Sequence, residues 1–169
     1  MNKIFSSYAK YYNLVYTTKD YKKEADFVYN WANKPKRILE LGCGTGQHAK
    51  FWCNKAKVIG IDQSQEMLSE AYRHSNISYI CQHLQDLSLT KKFNCVFALF
   101  NVMGYTLLEY SLSKIPVAKD GYFIFDVWDA SKFKKYPPIP KVKHLELAYR
   151  VAIPEQISDR LLRIDYIIV

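Results

Sequence analysis

Arg37-Ile38-Leu39-Glu40-Leu41-Gly42-Cys43-Gly44-Thr45-Gly46 is the stretch on which the reading of this chain turns. Ile38, Leu39 and Leu41 make a short apolar run of the kind that forms a buried parallel strand, and Gly42, Gly44 and Gly46 follow at once as a tight turn. The next residues, Gln47-His48-Ala49-Lys50-Phe51-Trp52, have helical spacing. Strand, glycine turn and helix together make an entrance for a nucleotide-type ligand. A side chain in the turn would either forbid the positive φ it needs or hold the backbone away from the ligand.

The glycine spacing narrows the choice of ligand. A dinucleotide fold uses Gly-x-Gly-x-x-Gly, but here the sixth position is Gln47 and the glycines run Gly-x-Gly-x-Gly. Glu40 adds a carboxylate at the strand end, which would repel a pyrophosphate and suits a cationic amino group. A second apolar run, residues 57–61, ends in Asp62, 20 residues after Gly42, where an acidic side chain can accept ribose hydroxyls. Ser64 then stands as N-cap of a helix, with Met67 where a capping box would carry Glu. A third strand, 77–81, leads to Gln85-Asp86-Leu87, and a fourth, 94–99, delivers Phe100-Asn101-Val102-Met103-Gly104-Tyr105 to the carboxyl edge of the sheet. A helix over 106–117, a turn at Asp120-Gly121 and a fifth strand over 122–128 complete an α/β core.

The glycine turn with Glu40, the Asp62-x-Ser64-x-x-Met67 pattern and Asp86-Leu87 occur in the order of the class I S-adenosylmethionine (SAM)-dependent methyltransferases, and resemble their motifs. The resemblance implies a Rossmann-like, mostly parallel sheet, SAM as cofactor and S-adenosylhomocysteine as product. It places Glu40, Gly42, Gly44 and Gly46 on the methionine part, Asp62 on the ribose, and Met67, Asp86 and Leu87 on the adenine. Cys43, Gln63 and Phe100 also count as cofactor-binding positions.

Upstream, Tyr12-Asn13-Leu14-Val15-Tyr16 and Lys19-Asp20-Tyr21-Lys22-Lys23-Glu24 look like the lead-in of small-molecule methyltransferases, above all those that N,N-dimethylate nucleotide-linked amino sugars. That likeness implies a tyrosine lid of Tyr12, Tyr16 and Tyr21 at the cofactor, and Asn101 and Tyr105 facing the acceptor as catalytic candidates. The amino-sugar enzymes are expected to have Gly-His where this chain has Gly104-Tyr105, and a phenol with its usual pKa of about 10 is a poor base at neutral pH. The expected reaction is methyl transfer to a small-molecule amine. Two other readings stand beside it: a SAM-binding domain that has lost turnover and acts through a partner, and an RNA methyltransferase. The RNA reading lacks the Asn/Asp-Pro-Pro-Tyr/Phe motif after the fourth strand.

At 169 residues and 49% hydrophobic content, one ordered domain is expected, divided as a lid and helix (1–35), a cofactor-binding core (36–130), and a linker with the start of an auxiliary antiparallel sheet (131–169). The helix over 21–32 places Ala25, Val28 and Trp31/Ala32 on its apolar face. Residues 142–153 and 161–169 alternate with period two and read as two antiparallel strands. In the resembled enzymes such strands are followed by a further helix and two core strands, whereas this sequence stops at Val169. That reads as a fragment, as a sheet edge covered by a second copy in a homodimer, or as a domain without catalysis.

The net charge of +8 is spread over lysine pairs rather than gathered in one arm, which suits a solvated surface and not a nucleic-acid partner. No apolar run reaches the roughly 18 residues of a membrane helix and no secretory leader is recognisable, so the cytoplasm is the expected compartment. Cys43, Cys53, Cys81 and Cys95 show no paired spacing and read as reduced thiols, and the scattered histidines give no metal site.

Overall fold

In the computed structural model, residues 8–105, 112–128, 139–144, 149–158 and 161–168 are described. Five apolar runs pair in parallel. β1 (Arg37–Leu41) lies between β2 (Lys57–Asp62) and β4 (Phe93–Ala98), with β3 (Ile77–Cys81) and β5 (Val117–Phe125) at the edges. The order β3-β2-β1-β4-β5 reverses direction between β1 and β4. In an open α/β sheet that switch point, at the carboxyl ends of the strands, is where ligands bind.

Period-two alternation sorts the central strands onto two cores. The helices are α1 (Ala9–Val15), α2 (Tyr21–Trp31) and α3 (Ala49–Trp52); Ile38, Cys95 and Phe97 face α2 and α3, while Leu39, Leu41, Val96 and Ala98 pack on the opposite side with Leu87 and Met103. Glu40 shares the Ile38 row and is 2% exposed, so its carboxylate is directed into the α2–α3 layer. Asp20 caps α2 by accepting from Lys23 N–H at 2.9 Å, and Ser64 caps α4 (Gln65–Ser69) by accepting from Met67 N–H at 3.1 Å.

Several expectations need correction. The helix after the glycine turn begins at Ala49, not at Gln47, because residues 44–48 stay in the turn. Trp31 is 63% exposed: Ala25, Val28, Tyr29 and Ala32 already fill the buried face of α2, and Trp31 packs edge-on against Tyr122, ring centroids 5.9 Å apart. Residues 106–111 of the expected helix lie outside the described residues, and its last residue, Val117, opens β5. Asp120-Gly121 is not a turn before that strand but an irregularity within it: Asp120 has φ +63° and the register jumps from Phe93–Val117 to Cys95–Tyr122. The strand ends at Phe125, short of Trp128.

The antiparallel pair is a three-stranded sheet in the order β6-β7-β8, formed by β6 (Lys141–His144), β7 (Tyr149–Ser158) and β8 (Leu161–Ile168). The expected 142–153 strand is thus two strands, with residues 145–148 outside the described set. The chain divides into two units, one of residues 1–10 and 18–127, the other of 11–17 and 128–169. In the second unit Tyr12 and Tyr16 pack on each other at 4.8 Å, Arg150 lies 5.9 Å from the Tyr16 ring, and Lys143 Nζ donates to Val15 C=O. Among the described residues no helix is long and apolar enough to cross a membrane, and no group of His, Cys, Asp and Glu could hold a metal ion.

Candidate cofactor site

The glycine turn leaves β1 with Gly42, Gly44 and Gly46 at φ +64°, +53° and +69°, the left-handed region that an L side chain rarely enters. Space constrains it further. A Cβ on Gly42 would stand 2.5 Å from Val102 Cγ2, and one on Gly46 would stand 2.1 Å from the Tyr79 hydroxyl. The turn is tied to β2 by Cys43 N–H donating to Ile61 C=O (3.0 Å), and Gly44 N–H donates to Asp62 Oδ2 at 2.8 Å. The other oxygen of Asp62 accepts from Ser64 N–H at 2.9 Å. One carboxylate therefore joins the turn after β1 to the cap of α4. A carboxylate has about four lone-pair sites, so acceptor capacity remains for a ligand hydroxyl. Burial raises the Asp62 pKa, against the hydrogen bonds from the backbone at Ser64, Gly44 and Gln63.

We expect Gly46→Ala to destabilise the fold by about 2–3 kcal/mol, from the left-handed φ and from displacement of Tyr79, whose hydroxyl donates to Tyr72 C=O at 2.8 Å. Adding Tyr79→Phe should recover part of that loss in urea denaturation, because the contact at 2.1 Å disappears while the backbone strain stays.

Most of the other residues singled out in the sequence lie on segments that follow the carboxyl ends of β2, β3 and β4. Met67 is buried and its Cε would lie 3.1 Å from a Cβ on Gly44; Leu87 is buried and Gln63 and Asp86 are exposed at the ends of β2 and of a short 3-10 turn, residues 84–86. Phe100 and Asn101 follow β4 with consecutive positive φ values of +72° and +59°, unusual for residues with side chains and typical of strained functional segments. Asp126, just past β5, holds that segment by accepting from Asn101 N–H at 2.9 Å. Tyr105 is 60% exposed at the end of the following turn. Tyr12 and Tyr16 belong to the second unit, whereas Tyr21 stands in the first, with its ring 5.0 Å from that of His48.

Sequence reasoning missed His48. Its Nε2 lies 2.9 Å from Glu24 Oε2 and its Nδ1 3.1 Å from Glu40 Oε1, while its ring stacks on Trp52 at 5.9 Å. Glu24 is paired in turn with Lys19, whose ammonium lies 4.7 Å from the Phe100 ring and 5.0 Å from that of Tyr21. Carboxylates can only accept, so both ring nitrogens of His48 must donate. Burial disfavours the charged ring, but the hydrogen bonds to Glu24 and Glu40 outweigh it and raise the His48 pKa. The His48 hydrogen bond likewise lowers that of Glu24 to about 2. Glu40 Oε2, the remaining oxygen, is buried with no hydrogen-bond partner among the described residues. An acceptor-only atom of a carboxylate at the end of β1 fits a cationic amino group. The only advance signal for His48 was its place two residues after Gly46, at the start of the helix that faces α2.

A family model described as a methyltransferase domain matches residues 38–114. A dTDP-3-amino-3,6-dideoxy-alpha-D-glucopyranose N,N-dimethyltransferase of Streptomyces fradiae is 29% identical over 135 residues, covering 71% of this chain and 52% of that protein. The chain spans about half the length of the curated relatives it matches. Among solved structures, Streptomyces venezuelae DesVI superposes with a TM-score of 0.75 at 19% identity, over 96% of this chain and 82% of the other. SAM-bound CalS10, an amino pentose methyltransferase from Micromonospora echinaspora, gives a TM-score of 0.72 at 18% identity, over 100% and 83%. At these identities the structural likenesses establish the fold.

Proposed function

Since the core of this chain is a class I SAM-dependent methyltransferase domain, we propose that the protein methylates a small-molecule amine, with a nucleotide-linked amino sugar as the first acceptor class to try. The observation that carries the cofactor reading is the glycine turn at the β1/β4 switch point, with Asp62 at the end of the neighbouring strand and, on β1, a Glu40 oxygen without a hydrogen-bond partner among the described residues. The amine acceptor rests on the S. fradiae relative and on the residues that follow β4.

The residues present fit the cofactor. Glu40 and the glycine backbone would take the amino-acid end, Asp62 with Gln63 the ribose, and Met67, Asp86 and Leu87 the adenine, with Cys43, Phe100 and Tyr21 lining the approach. When bound, SAM supplies an electrophilic methyl group on a leaving group that needs no protein acid. What remains for the chain is alignment and exclusion of water. Asn101, fixed by Asp126 in its left-handed conformation, offers an amide oxygen that can orient an acceptor N–H, and Tyr105 offers a hydroxyl. Neither is a base at neutral pH, which favours an acceptor already nucleophilic as a neutral amine.

Calorimetric titration of the protein with SAM is expected to give a Kd on the order of micromolar. Methyl transfer to a dTDP-amino sugar, followed by mass spectrometry, tests the acceptor. Binding without transfer to any amine would favour the SAM-binding domain that works through a partner, and no binding would sink the cofactor reading.

A further inference from the structure

Resting on that reading of the cofactor, we propose that His48 is a positioning residue of the site: hydrogen-bonded by both ring nitrogens, it clamps Glu40 so that Oε2 alone is presented to the ligand's amino group. The relay runs Lys19, Glu24, His48, Glu40, from the turn before α2 to the end of β1. Glu40 is buried on the α2–α3 side of the sheet, where the His48 ring nitrogen 3.1 Å from Oε1 is the hydrogen-bond partner that holds it. That contact fixes the rotation of the carboxylate through Oε1. Burial raises the pKa values of Cys43 and Tyr79, and the Glu40 carboxylate adds to the rise at Cys43 and, after Cys43, at Tyr79. The groups facing His48 are Glu24 and the Tyr21 ring from α2, Glu40 from β1, and Trp52 from its own side, with Lys19 acting through Glu24.

The pH dependence follows in sign. Glu24 is depressed, so its pairing contributes at pH above its ordinary 4.5 and is lost as pH falls towards about 2. His48 is raised, so its contribution is complete below its ordinary 6.5 and is lost as pH rises through the higher folded value. The whole relay is therefore formed between about 4.5 and 6.5, and its loss on the alkaline side begins only when His48 gives up its proton. SAM affinity should fall on that alkaline limb beyond what the ligand's own amino group accounts for.

The test is calorimetric titration with SAM from pH 5.5 to 9 on the wild-type chain, His48→Gln and Glu24→Gln. We expect His48→Gln to weaken binding by about tenfold or more at pH 6, the scale of one hydrogen bond to a charged group. Its pH profile should retain only the ligand's titration. Glu24→Gln, on the more exposed end of the relay, should move the wild-type alkaline limb to lower pH, because His48 then keeps one carboxylate instead of two. A folded His48→Gln with wild-type affinity and profile would overturn the proposal while leaving the cofactor site standing. If His48→Gln does not fold, an unmoved limb in Glu24→Gln overturns it. Absence of wild-type binding would overturn the cofactor reading and this proposal together.

Discussion

Trp52→Ala will cost the fold about 3–5 kcal/mol, enough to leave many domains of this size largely unfolded. Trp52 is fully buried at the end of α3, with its ring 4.7 Å from Phe97 of β4, and its indole Nε1–H donates to Ala25 C=O of α2 at 3.0 Å. One side chain thus joins a helix, its neighbour and the central sheet. Its removal leaves a cavity among Ala25, Ala49, Ala56 and Phe97, residues too small or too fixed to collapse into it, and leaves the Ala25 carbonyl without that donor. Trp52→Phe should cost less than half as much, since the ring contact with Phe97 is largely kept and only the indole hydrogen bond and some volume are lost. Urea denaturation followed by circular dichroism separates the two, and equal losses would mean that the hydrogen bond, not the packing, dominates. Because His48 stacks on the same indole, the alanine variant should also loosen the relay to Glu40 before global unfolding.

The contrast between Trp52 and His48 shows what the sequence could reveal. β1, β2, β3 and β4 were readable to within a residue, because each is a short apolar run bounded by turn chemistry, and β1, β2 and β4 are largely buried. Ser64 was readable as a cap, since capping is local. What escaped depends on partners distant in sequence: His48 meets Glu24 across 24 residues, and Asp126 meets Asn101 across 25. Gly60 escaped for the same reason. A glycine in a strand reads as a weakness, but here a Cβ would stand 2.8 Å from both Cys43 Sγ and Tyr79 Cδ1, so the strand needs glycine to let the Tyr79 ring lie across it and reach the turn. Period two did hold the clue to Glu40, which alternates into the Ile38 row, facing the helices.

Asp62→Ala will weaken SAM binding by well over tenfold and will also lower stability by roughly 2–4 kcal/mol, the cost of two backbone N–H groups losing a charged acceptor less the relief of a buried carboxylate. The two effects have different origins and can be separated. The stability loss comes from Gly44 N–H and Ser64 N–H, bonded at 2.8 and 2.9 Å to opposite oxygens of Asp62. The affinity loss comes from the remaining acceptor capacity, which the proposed ribose hydroxyls would use. Asp62→Asn keeps one acceptor oxygen but turns an NH2 group towards the other N–H, so it should recover only part of the stability and little of the affinity. Ser64→Ala removes the helix cap, at about 1 kcal/mol, without touching the carboxylate. If Ser64→Ala weakened SAM binding as severely as Asp62→Ala, the carboxylate would be acting through the shape of the turn. If Asp62→Ala left the affinity unchanged, its ribose role would be refuted. Affinity that falls with Asp62→Ala and holds with Ser64→Ala assigns the carboxylate to the ligand itself.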